Sequence, residues 1–213
     1  MQRIAIFDMD GTLIDSGLDI TVSINYVRSQ CYSLKPLSVQ EVVDAINAPK
    51  RNLSEIFYEK ETYEQCARDL FEEHYFEQCI QNVVAYEGVH DVLKTLHDHG
   101  VAMGVATNAP SIFAKRMLKH LELDIFFTNI IGADNVESPK PHPQMLNHHL
   151  NHFRYRPGTD NAWIVGDNSK DIEAASRAGI RSIFAAWGFS TDGNGDYFAS
   201  TPDSLFKIIC EKG

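Results

Sequence analysis

From about residue 83 onward, short apolar runs alternate with helix-patterned segments, and that alternation restricts the fold more than any other feature of the chain. Val89, Val92, Leu93 and Leu96 recur at helical spacing before the stop at Gly100. Residues 101–106 form an apolar run and read as a buried strand. Ser111 is placed to cap a helix carrying Ile112, Met117, Leu118 and Leu121. Residues 125–131 read as another strand, and Pro143 can open a helix with Met145, Leu146, Leu150 and Phe153. A strand over 162–165, a helix over 171–178 ended by Gly179, and a last strand over 180–186 complete the series. Ile4, Ala5 and Ile6 add one strand near the start. Strands separated by helices call for a parallel sheet covered on both faces, an α/β doubly wound, Rossmann-like architecture.

Residues from about 16 to 82 break the rhythm. Leu18, Val22 and Tyr26 fall at i, i+4 and i+8, Val42, Val43 and Ile46 follow, and 62–81 reads as a long helix. The expected organisation is therefore an α/β core over 1–15 and 83–213, with a helical unit inserted over 16–82. Residues 190–196, rich in Gly, Asn and Asp, read as a surface loop.

Acidic residues outnumber basic ones, 29 to 19, for a net charge of −10. With no basic cluster, that balance argues against a nucleic-acid partner. No apolar stretch is long enough to span a bilayer, and no leader pattern precedes the first strand. The four cysteines are scattered without a CxxC pair and read as buried or half-buried free thiols, which suits a cytoplasmic location.

Four polar clusters stand at the carboxyl ends of the expected strands, where parallel sheets build their sites. The first is Asp8-Met9-Asp10-Gly11-Thr12, whose two carboxylates would project the same way from the strand end. Paired carboxylates at an apolar strand end are costly unless a cation or proton compensates. Thr107-Asn108 is the second, Lys140 in Ser138-Pro139-Lys140-Pro141 the third, and Gly166-Asp167 with Asp171 the fourth. Singly, each has a plain structural explanation as a turn, cap or solvated loop residue. Together they supply a nucleophile, a proton donor, hydroxyl and amide donors, a cation and metal-binding carboxylates, the parts needed to handle a phosphate.

Rival motifs fail on spacing. There is no EF-hand loop, no GxxxxGK[ST], no GxGxxG after a strand and no GxSxG. His148 and His152 lie one helical turn apart, but no third zinc ligand follows, and His148, His149 and His152 read as an exposed helix face.

The four clusters, in this order and spacing, resemble the four motifs of the haloacid dehalogenase superfamily. The phosphoglycolate phosphatase-like branch is the nearest likeness, including Lys140-Pro141-His142-Pro143 and Ala186-Trp187-Gly188. The resemblance implies a sheet order of 3-2-1-4-5, with residues 16–82 as an α-helical cap. It implies a phosphatase acting on a small phosphorylated metabolite, phosphoglycolate-like or a sugar phosphate. Asp8 would attack phosphorus and form an aspartyl phosphate, while Asp10 acts as acid and then base. Mg²⁺ would be held by Asp8, the Asp10 carbonyl and Asp167, with Asp171 behind them. Met9, Gly11, Thr107, Asn108 and Lys140 would bind the phosphoryl oxygens. Dehalogenases and phosphonatases of the superfamily lack a carboxylate at the position of Asp10, so its presence points to phosphate esters or anhydrides. Where similar phosphatases carry a cap loop with a glycine and a basic residue, this chain has Asn47-Ala48-Pro49-Lys50-Arg51, without the glycine. Lys50 or Arg51 would contact an anionic substrate group, or else form a solvated pair opening the next helix. Alternatives of the same fold are a phosphomutase and a non-catalytic phosphate-binding scaffold. The protein is expected as a monomer or homodimer.

Overall fold

The computed structural model describes residues 1–48, 52–190 and 193–211. The chain divides into two compact units, one formed by Met1–Asp15 with Ala85–Gly213 and the other by Ser16–Val84.

The first unit is built on β1 (Arg3–Phe7), with β2 (Ile14–Asp15) where the chain leaves it. In the second unit α1 (Gly17–Tyr32), α2 (Val39–Asn47), α3 (Leu53–Tyr58) and α4 (Gln65–Gln78) gather around Ile24, Val27, Val42, Ala45, Phe57, Tyr58 and Ala67. A reciprocal Ser38–Glu41 capping box starts α2. The i, i+4, i+8 positions that mark α1 as a helix lie on its outer face: Leu18 is 46% exposed, and Val22 and Tyr26 are exposed too. The inward face carries Ile24 and Val27 together with polar groups. Buried Asp19 accepts from Gln78 Nε2, Asn82 N and Asn82 Nδ2, and buried Arg28 donates to the carbonyls of Lys35 and Phe57. Such groups are tolerated inside because every charge is hydrogen-bonded, and periodicity alone reads them as the solvent side.

The chain re-enters the core through β3 (Val84–Ala85) and continues with α5 (Val89–Asp98), β4 (Ala102–Ala106), α6 (Ser111–His120), β5 (Asn129–Ile131), α7 (Gln144–His152), β6 (Asn161–Gly166), α8 (Ser169–Ala178), β7 (Arg181–Ala185) and β8 (Tyr197–Ala199). Six of these strands form one parallel sheet in the order β5-β4-β1-β6-β7-β8. Numbered within the core, that is 3-2-1-4-5 as expected, with a sixth strand at the edge. The central strands β1, β4 and β6 are buried on both sides, which explains their unbroken apolar runs. Ile4, Ile6, Ala162 and Ile164 meet Met145, Leu146 and Leu150 of α7 and Ala174 and Ala175 of α8.

Three core expectations need correction. Residues 125–131 are not one strand: a 3₁₀ turn at Asp124–Phe126 precedes β5, and Ile125 is 70% exposed. The strand over 180–186 is not the last, because β8 pairs with β7 and is anchored by Asp196, whose carboxylate accepts from Ser182 N and Oγ. A three-residue edge strand is too short to show a period. His149 is not on an exposed face. It is fully buried, and its Nε2 meets the Val105 carbonyl at 2.9 Å, while His148 and His152 are exposed.

Register places the site. Phe7 is level with Val105 on β4 and with Val165 on β6. Asp8, Thr107 and Asp167 therefore leave the carboxyl ends of three adjacent central strands, where the strand order reverses.

Candidate active site

Asp8 extends the strand pairing by one step, its N–H donating to the Val165 carbonyl at 2.8 Å. The chain then turns sharply: the Met9 carbonyl accepts from the N–H groups of Thr12, Leu13 and Ile14, and Gly11 N–H donates back to the Ile14 carbonyl. Asp8 is therefore placed by the strand pairing and Asp10 by the turn that follows it, and not, as expected, both by the alternation of one strand. Gly11 has φ of +82°, and a Cβ there would lie 2.4 Å from an Asp167 oxygen. Only glycine lets this loop pass so close to the carboxylate. Met9 points its side chain into the core, so it can serve a ligand through its backbone alone. Asp10 is half-buried in the loop.

Asp8, Asp167 and Asp171 converge, each offering an oxygen within 4.8 Å of the others. All three are buried, as is Lys140. Lys140 Nζ donates to Asp8 Oδ1 at 2.7 Å and to Asp171 Oδ1 at 2.6 Å. Burial would lower the lysine pKa, but the Asp171 and Asp8 carboxylates outweigh it and hold the ammonium charged, above the ordinary value. The Asp167 and Asp171 carboxyls are both pushed upward, first by burial and then by the neighbouring carboxylates, with Lys140 opposing the rise at Asp171. Three acids facing one base leave the cluster short of positive charge.

The supporting bonds are specific. The Asn108 side chain takes both backbone groups of Lys140, accepting its N–H at 3.0 Å and donating to its carbonyl at 2.9 Å. The Asn108 carboxamide is thus committed to the lysine, leaving the backbone amide of that residue for a ligand. Thr107 is buried beside it, its N–H held by the Ile131 carbonyl and its Oγ1 accepting from Ala109 N. Asp171 sits in the first turn of α8, where it forms a capping box with Asn168. Gly166 leaves room for it, since a Cβ there would lie 2.4 Å from the Asp171 carboxyl group.

Three carboxylates and a lysine at the switch point of this sheet form the arrangement on which one family of hydrolases is built, and the sequence comparison agrees. The pattern describing haloacid dehalogenase-like hydrolases matches residues 5–185. The chain belongs to that family. A phosphoglycolate phosphatase of Aquifex aeolicus is 30% identical over 215 residues, covering 98% of this chain and 97% of its own. Phosphoglycolate phosphatase 1 of Pseudomonas aeruginosa is 31% identical over 89% of this chain and 71% of its own length. A haloacid dehalogenase-like hydrolase from Streptococcus pneumoniae, of solved structure, shares the fold with a TM-score of 0.80 at 24% identity, over 97% of this chain and 98% of that one.

Within this family member, the described residues bring together Asp8, Lys140, Asp167 and Asp171, with Thr107, Asn108 and the 9–12 loop around them. Lys50 and Arg51, the cap candidates, lie outside the described residues. Thr12, read with the first cluster, meets Asp167 Oδ1 through its hydroxyl at 3.3 Å, while nothing in the sequence singles out Tyr86. Burial, with Asp15, Asp167 and Asp10 nearby, raises the Tyr86 hydroxyl pKa above its ordinary value. A tyrosine after a short apolar run carries no signal of its own. Among the described residues, no helix is long and apolar enough to cross a membrane.

Proposed function

We propose that the chain is a Mg²⁺-dependent phosphatase for a small phosphorylated metabolite, phosphoglycolate-like or a sugar phosphate, working through an aspartyl phosphate on Asp8. The observation that carries this is the convergence of Asp8, Asp167 and Asp171 around Lys140. The donor set fits a hard divalent cation: all its ligating atoms are oxygens, and burial makes full ionisation costly without added positive charge. Asp8, Asp167 and the Asp10 carbonyl would hold the ion, with Asp171 beside them. When bound, Mg²⁺ supplies charge stabilisation for the phosphoryl oxygens.

The chain's own residues would divide the work. Asp8 attacks phosphorus in line, and the ester oxygen leaves with a proton from Asp10. Asp10 then takes a proton from the water that hydrolyses the acyl phosphate, which regenerates Asp8. The Lys140 ammonium, Thr107 and the backbone amides of Met9, Gly11 and Asn108 hold the transferring oxygens. Lys140 neutralises Asp8 electrostatically without taking its place as nucleophile. In this reading the Ser16–Val84 unit is the cap, and Lys50 and Arg51 remain its substrate-contact candidates.

The naming of the relatives supports hydrolysis over the mutase and scaffold readings. The test is phosphate release over a panel of phosphorylated metabolites, with Mg²⁺ and with chelator. Turnover should require Mg²⁺ and vanish in Asp8→Asn. A purified, folded Asp8→Asn protein with full turnover would remove the mechanism.

A further inference from the structure

The segment following β7 has no part in the chemistry above, yet it meets the site at several points. Trp187 Nε1 donates to the Thr12 carbonyl at 2.9 Å. Phe189 N and Ser190 N both donate to Asp167 Oδ2, at 3.0 and 3.3 Å. Gly188, between them, lies flat against the 8–12 loop: a Cβ there would fall 1.8 Å from the Gly11 oxygen and 2.8 Å from Asp167 Cβ. Thr12 approaches the other Asp167 oxygen. The carboxylate is thus gripped on Oδ2 by two backbone amides and met on Oδ1 by a hydroxyl from the loop that Trp187 holds.

We propose that residues 187–190 are a clasp that sets the orientation of Asp167 against the 8–12 loop, and so sets the affinity of the site for a divalent cation. The inference rests on the reading of Asp167 as a ligand. An Asp side chain has two rotatable bonds, and a cation site gains from having both fixed before binding. Two N–H donors on one oxygen fix the carboxylate plane. Trp187 is a positioning residue: it touches no carboxylate and acts by docking its segment onto Thr12. Gly188 is needed because any side chain would lift the segment off the loop.

The experiment is calorimetric titration of Mg²⁺ alone into the full chain without substrate, for the wild type and three variants. Asp167→Asn should abolish the binding heat. Trp187→Phe keeps an aromatic ring and deletes the N–H, and should weaken Mg²⁺ about fivefold, the size expected for one hydrogen bond. Ser190→Pro deletes one of the two donors to Asp167 and should act similarly. In turnover, Trp187→Phe should raise the half-saturating Mg²⁺ concentration by the same factor while kcat at saturating Mg²⁺ moves less than twofold. General loss of folded protein would instead lower kcat at every Mg²⁺ concentration. Wild-type Mg²⁺ affinity in Trp187→Phe, when Asp167→Asn has lost binding, overturns the clasp and leaves the phosphatase reading intact. Undiminished binding by Asp167→Asn overturns the assignment of the ligand and the clasp with it. If Ser190→Pro does not fold, Trp187→Phe alone decides.

Discussion

Replacing Lys140 by methionine nearly keeps the length of the side chain, deletes its charge, and should destabilise the fold. The ammonium makes two charge-assisted bonds, at 2.7 Å to Asp8 and 2.6 Å to Asp171, inside a buried cluster. Removing one partner of a buried ion pair costs about 3–5 kcal/mol, because the other charge is left uncompensated. For a chain of this size each kcal/mol moves the unfolding midpoint by about 2–4 °C, so the metal-free variant should melt roughly 6–20 °C lower at pH 7. The penalty should shrink on acidification. Asp167 and Asp171 have folded pKa values above the ordinary carboxylate value, and loss of the lysine raises that of Asp171 further. Between the unfolded and folded values the native state binds more protons, so lowering the pH favours it. Thermal unfolding by circular dichroism with chelator, at pH 7 and pH 5, measures both effects. Adding Asp171→Asn to Lys140→Met should recover part of the loss, since it removes one of the stranded charges. An unchanged midpoint at pH 7, or a larger loss at pH 5, would refute the electrostatic account.

Other outcomes rest on the same geometry. Gly11→Ala places a methyl group at φ +82° and against Asp167, and should abolish Mg²⁺ binding in a calorimetric titration while the far-ultraviolet spectrum stays native. His149 is held neutral, burial lowering its pKa to about 4, so its contribution is complete above its unfolded value near 6.5 and is lost as pH falls toward 4. That loss approaches about 3 kcal/mol, and the difference in denaturant midpoint between pH 7.5 and pH 5 should flatten in His149→Gln. Gly104→Ala would set a Cβ 2.5 Å from His149 Nδ1 and should destabilise the core by about 1–3 kcal/mol, read by urea unfolding, with His149→Ala restoring part of it.

The parts of the fold that were legible in the sequence are those in which one force dominates. Strands buried on both faces must be apolar throughout, and the runs near Ile4, Val105 and Ile164 show it. Carboxylates and a lysine at strand ends are legible because phosphate chemistry requires those residue types at those places. What escaped is cross-chain complementarity. Nothing local announces that Asn108 will hold the backbone of Lys140, or that Trp187 will reach Thr12, because each bond joins segments whose separation only the sheet order closes. His149 escaped for a related reason. A polar residue among polar neighbours reads as solvent-facing until a carbonyl on β4 is found to receive it. The spacing of Leu18, Val22 and Tyr26 identifies a helix but not the side of it that is covered.

The central position of β1 carries a consequence for how the protein is made. β1 is the first of the sheet's strands in chain order, yet its partners level with Ile4 are Ala102 on one side and Ala162 on the other. The whole Ser16–Val84 unit emerges between β1 and the earlier of them. The helical unit, all of whose residues precede Ala102, can be complete while β1 still has two bare edges. Until both neighbours arrive, Ile4-Ala5-Ile6-Phe7 is an apolar strand with nothing to pair with, the kind of segment that associates with other chains. Asp8 at its end shares that history: it meets Lys140 only after β5 and waits for Asp167 and Asp171 beyond β6, so the charged cluster can close only once Asp171 has been made.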